Sequence, residues 1–180
     1  MTCVVVLADD NGKQFFDKLG EITKRIFTPL LVWRGHVRAC GNNAQLVITD
    51  RESFSRIDIA PRIIICCGKQ RHSLLPLANS HSIVIVDSCE PTQLECVAQT
   101  KMPAITCGLF KQDTITLSSN TPDSTVISLQ RSIICHNGNT CEPQEIPIKL
   151  ASHADSYLLM AAASIFLITG NSDKLVDIVF

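Results

Sequence analysis

The chain has 180 residues, of which 46% are hydrophobic and only 18% charged, with a net charge of −1. That length suits one domain over 1–180, able to bury roughly 70% of its unfolded surface without metals or disulfides, and the composition excludes a disordered chain. There is no basic run to meet nucleic acid, no apolar run of roughly 18 residues to span a membrane, and no leader pattern, so a cytoplasmic location is expected.

In chain order, Cys3-Val4-Val5-Val6-Leu7 is a β-branched run that reads as a buried strand. A loop over 8–12 follows. Phe15, Phe16, Leu19, Ile22 and Ile26 then recur at helical spacing, which predicts a helix over 13–27 ended by Pro29. Trp33-Arg34-Gly35-His36 reads as an irregular stretch and a candidate contact surface. Strands are expected over 44–49, 62–67, 82–87 and 104–107, with a short helix over 91–99. Continuous apolar strands alternating with helices imply an α/β domain, its sheet mainly parallel with helices on both faces.

After Gly108 the pattern changes. Strand-like runs over 114–118, 124–134 and 144–150, with Asn137-Gly138 as a hairpin turn, predict a small antiparallel β layer. Asp155 opens a helix through Leu158, Leu159, Ala162 and Ile165 that stops at Gly170, and a last helix is expected over 172–179.

The nine cysteines are odd in number, irregular in spacing and lack a C-x-x-C pair. They read as buried thiols of a reducing compartment rather than a disulfide framework or a metal site. Cys135 and Cys141 flank the expected hairpin turn with His136 between them, one ligand short of a zinc site.

The first loop carries the chemistry. Strand, tight loop ending in Gly12-Lys13, then helix is the layout of a phosphate cradle, in which backbone N–H groups and a helix N-terminus face an anion. The full pattern, G-x-x-x-x-G-K followed by Ser or Thr, is not met: Leu7 stands at the first glycine and Gln14 at the hydroxyl. Asp9 and Asp10 add two carboxylates, and each unit-charge repulsion at about 4 Å costs on the order of 1–4 kcal/mol at dielectrics of 80 to 20. At the end of the 62–67 strand, Lys69, Arg71 and His72 are candidate anion-binding residues.

Three segments in order resemble the central, ATP-binding domain of Mur ligases and the related folylpolyglutamate synthases. Ala8-Asp9-Asp10-Asn11-Gly12-Lys13-Gln14-Phe15 is similar to that family's T-G-T-N-G-K-T-T. Ile83-Val84-Ile85-Val86-Asp87-Ser88-Cys89-Glu90-Pro91 is similar to its V-V-N-A-D-D-P, and Pro103 to Leu109 to its V-I-T-F-G. Ile146-Pro147-Ile148-Lys149-Leu150-Ala151-Ser152-His153 resembles L-P-L-P-G-x-H-N, which opens an alanine-rich helix. The resemblance implies Asn11, Gly12, Lys13, Asp87 and His153 as vestigial nucleotide-binding residues. It departs at Asp9, Gln14, Ala154 and Tyr157, and Cys67 to Ser73 carries no carboxylate.

The resemblance with these departures implies a stand-alone, non-catalytic binding module with no catalytic residue and no metal. No cofactor is expected, Mg-ATP being the one the resemblance leaves open. The expected partners are a protein, a second copy joined through the layer over 114–150, or a small anionic ligand. The alternative is a weak ATP-binding component of an amide ligase that needs a partner chain.

Overall fold

The structure is a computed structural model that describes residues 1–8, 12–51, 53, 57–69, 74, 77, 81–151 and 154–179. The chain forms two compact units, Met1–Ala104 and Ile105–Phe180.

The first unit is built on β1 (Thr2–Leu7), α1 (Gly12–Thr23), β2 (Pro29–Trp33), β3 (His36–Ala39), β4 (Leu46–Asp50), β5 (Arg62–Cys66), β6 (Ser82–Asp87) and α2 (Pro91–Ala98). Its strands lie in the order β6-β5-β1-β4-β2-β3. All neighbours are parallel except β2 and β3, which pair antiparallel at the edge. Cys3 to Leu7 and Ile63 to Cys66 are at most 1% exposed. Strands interior to a parallel sheet are covered on both faces, so their sequence is apolar throughout instead of alternating.

Helix α1 buries Gly12, Phe16, Leu19, Gly20 and Thr23, one stripe at helical spacing. Gly20 allows close approach to the sheet, since a Cβ there would lie 2.9 Å from Leu31 Cδ1. The helix stops at Thr23, four residues short of the expected end. The Thr23 hydroxyl donates to the Leu19 carbonyl at 2.8 Å, and only turns follow through Ile26.

The segment read as irregular around Trp33 is a β-hairpin. Arg34 and Gly35 both have positive φ, 45° and 81°, the two-residue turn whose twist suits antiparallel strands. Pro29 opens β2 instead of ending order, because the first residue of a strand can do without an N–H.

The second unit contains β7 (Ala104–Cys107), β8 (Ile115–Asn120), β9 (Ser124–Leu129), β10 (Ile133–Ile134), β11 (Thr140–Cys141), β12 (Gln144–Lys149), α3 (Ser156–Ile168) and a 3-10 helix over Ser172–Asp177. β7 and β8 are parallel, whereas β8, β9 and β12 run antiparallel. Both the parallel sheet and the antiparallel layer expected from the sequence are therefore present.

The strand expected over 124–134 is two strands, because the chain leaves the ladder at Gln130 to Ser132 and pairs again as β10 with β11. The last helix is shorter than expected and of the tighter 3-10 type. Asp155 caps α3 by accepting from the Leu158 N–H at 2.8 Å.

Five of the nine thiols, Cys3, Cys66, Cys107, Cys135 and Cys141, are buried, Cys89 is exposed, and none of the nine is in a disulfide. Cys141 pairs with Ile133 across the ladder, and the Cys135 thiol donates to the Leu167 carbonyl at 3.1 Å while lying close enough to Cys141 to feel its charge.

Burial pushes Cys66 up to about 12 and Cys3 up to about 11, from an ordinary thiol value of 9.0. Both are raised in the folded state, so their contribution is full below about pH 9 and is lost as pH rises towards 11–12. The unfolding midpoint should therefore fall between pH 9 and about 10.5. A Cys3→Ala/Cys66→Ala variant should show a shallower fall in a thermal scan at each pH. Parallel slopes would mean that these thiols are not shielded from water.

Candidate functional site

Four parallel strands of the first unit, β1, β4, β5 and β6, end on Leu7, Asp50, Cys66 and Asp87 at one edge of the sheet. In open parallel sheets the carboxyl edge is where ligands sit. The segment after β5 is fastened there: the Cys67 N–H donates to the Leu7 carbonyl at 2.8 Å. Gln93 of α2, wholly buried, then bridges two loops. Its Nε2 donates to the Gly68 carbonyl and its Oε1 accepts from the Asp87 N–H, each at 2.8 Å. The Asp87 carboxylate itself accepts from the Cys89 N–H at 2.9 Å, closing a local turn.

Gly12 opens α1 with no room for a side chain. A Cβ there would overlap the Ala8 Cβ and lie 3.6 Å from the Trp33 ring. Gly12 and Ala8 thus approach as closely as only a glycine allows. Lys13 is exposed, and its ammonium forms an ion pair with Asp17 one turn further along the same helix. That pairing directs it down the helix flank.

Among the residues predicted from sequence, the structure brings Gly12, Lys13, Asp87 and Lys69 to the carboxyl edge, with Lys69 exposed beside Gly68. Asn11, Arg71, His72 and His153 lie outside the described residues.

Two residues there escaped sequence reasoning. Asp50 ends β4 directly beside Val6 of β1 and is 5% exposed. Its carboxylate accepts from the Arg34 N–H at 3.2 Å, from the Ser53 N–H at 3.2 Å and from the Ser53 hydroxyl. An acid closing an apolar strand was the available signal, and the expected strand stopped one residue before it. Gln93, in the first turn of α2, gave no pattern to read.

A magnesium nucleotide asks for a cradle, a lysine turned into it, and a hydroxyl or free carboxylate for the metal. Gly12 supplies the glycine of the first. Lys13 is engaged by Asp17, position 14 is Gln, and Asp50 accepts the hydrogen bonds that hold the β2–β3 turn. No group of three or more His, Cys, Asp or Glu that would hold a metal ion occurs among the described residues. Of these parts the described residues show the glycine, the lysine paired with Asp17, and the Asp87 carboxylate at the same edge. Among them, no helix is long and apolar enough to cross a membrane.

No protein-family model matches the sequence, and no curated protein matches it. Solved structures do match. MurF from Acinetobacter baumannii aligns over 98% of this chain at a TM-score of 0.63 and 12% identity. UDP-N-acetylmuramoyl-L-alanyl-D-glutamate–2,6-diaminopimelate ligase aligns over 99% at 0.59 and 9% identity. E. coli FolC, solved with DHPP and ADP, aligns over 100% at 0.57 and 10% identity. The chain spans 44%, 46% and 57% of those three proteins, about half their length. At such identities the likeness concerns architecture alone, and the fold of this chain is Mur ligase-like α/β.

Proposed function

We propose that this chain is a non-catalytic relative of the Mur ligase fold that works by binding, either a protein partner or a small anion, at or beside the former nucleotide cleft. The observation that carries this reading is the Lys13–Asp17 ion pair. A cradle lysine serves by pointing at phosphate, and this one is turned along its own helix beside a Gln in place of a metal-binding hydroxyl. The phosphate loop is degenerate on this reading, and a cytoplasmic binding role suits it. A second copy joined through the antiparallel layer is one form such a partner takes.

One observation favours a second reading. The tight approach of Gly12 to Ala8 is a feature that a working cradle needs, and one protein of similar fold is a ligase by name. On that reading the chain is a weak ATP-binding component of an amide ligase that requires a partner chain. Thermal unfolding with and without Mg-ATP, beside a Lys13→Ala variant, separates the two. The binding-module reading predicts no response to Mg-ATP in either protein.

A further inference from the structure

The first unit has a hollow of about 310 Å³ between α1 and the β2–β3 hairpin, at the small end of the range for organic ligand pockets. Its position follows from strand register. Residues directly opposite in an antiparallel pair share a face. Leu31 stands opposite Arg38 and Trp33 opposite His36, so these four side chains lie on one face of the hairpin. Leu31 packs near Gly20, which makes it the face turned towards α1. The helix contributes Lys13, Phe16 and Asp17, spaced to stand on one side of it.

The lining is divided in a way that specifies a ligand. One wall is aromatic: the Phe16 and Trp33 rings lie 4.8 Å apart, tilted by 53°. Trp33 remains half-buried, and the Arg34 guanidinium carbon stands 6.0 Å from its ring centroid. The rim carries Lys13, Arg38 and His36, with Asp17 paired to Lys13 and Glu21 near Arg38. Arg38 is held only loosely by Glu21, at 3.8 Å with both side chains more than half exposed. Exposed pairs of this kind are readily exchanged for another anion. β3 is the edge of its sheet and every residue on it is exposed, so nothing among the described residues of this unit covers it.

We infer that this hollow binds a small organic anion with a flat ring, the ring lying on Trp33 and the carboxylate or similar group meeting Arg38 and His36. The inference rests on the binding reading above and gives the anion its place and chemical class. The two fail separately, because a response to Mg-ATP would overturn the non-catalytic reading while leaving this pocket in being.

Trp33 is the only tryptophan in the chain, so the protein's single indole N–H resonance reports on the pocket directly. The ¹⁵N-labelled full chain is titrated with 2-naphthoate, with the neutral isostere 2-naphthamide, and with 2-naphthoate again in an Arg38→Gln variant. Arg38 is exposed, so this substitution leaves folding intact, as the rest of the spectrum will show. The expected result is a saturable shift of the indole resonance with 2-naphthoate. The apparent affinity should be at least about fivefold weaker for 2-naphthamide and at least about fivefold weaker in the variant. No saturable shift, equal affinity for the amide, or unchanged affinity in Arg38→Gln would each overturn the inference.

Discussion

Phe166→Ala is expected to lower the unfolding free energy by about 3–5 kcal/mol, the range for removing an aromatic ring from a close-packed core. Every residue of α3 from Leu158 to Ile168 is buried, and Phe166 is 0% exposed. Ala161, Ala162 and Ala163 bring this helix close to its surroundings, which include β8 and the 3-10 helix. Small residues packed that tightly cannot collapse into the space left by a ring, so the cavity remains open. Phe110→Ala supplies the control. That ring is 52% exposed, and its loss should change stability by no more than about 0.5 kcal/mol. Urea unfolding of both variants checks this. A loss below about 1.5 kcal/mol for Phe166→Ala would mean that α3 is not the core element described.

Asp50→Ala is expected to cost about 2–4 kcal/mol, with its damage localised to the β2–β3 hairpin. The Asp50 carboxylate is the common acceptor for the Arg34 N–H, the Ser53 N–H and the Ser53 hydroxyl, and Ser53 in turn accepts from the Gly35 N–H at 3.4 Å. Removing it leaves several donors around a nearly buried position without their acceptor. The turn carries positive φ at a non-glycine residue, Arg34, a conformation that needs support from its surroundings. Amide exchange should accelerate in residues 30–39 more than in β1 or β5. Asp50→Asn keeps one acceptor oxygen and should recover part of the stability. Equal exchange throughout the unit would show that Asp50 does not hold the hairpin.

The buried parallel strands were the most legible elements, because burial on both faces leaves no polar residue to break the run. β1, β5 and β6 accordingly fall within a residue or so of their sequence boundaries. The hairpin was missed for two physical reasons. Pro29 is tolerated at the start of a strand, and Arg34-Gly35 closes a two-residue turn without the usual Asn or Asp before glycine. α1 was read too long since Ile26 and Phe27 keep the apolar spacing, and spacing is blind to the Thr23 hydroxyl competing for a helical carbonyl. At the site, Gly12 and Lys13 were legible from motif layout. The pairing of Lys13 with Asp17 and the fastening by Asp50 and Gln93 are tertiary facts with no linear signature.

The central claim is that the loop between β1 and α1 no longer serves a nucleotide. Thermal unfolding of the wild-type chain with and without millimolar Mg-ATP, beside Lys13→Ala, tests it most directly. A ligand at 100 times its dissociation constant stabilises a fold by about 2.7 kcal/mol. For a chain of this size that corresponds to a rise of about 5–11 °C in the midpoint. The account predicts midpoints unchanged by Mg-ATP in both proteins. A rise of that size in the wild type that disappears in Lys13→Ala would contradict it and establish a working nucleotide site.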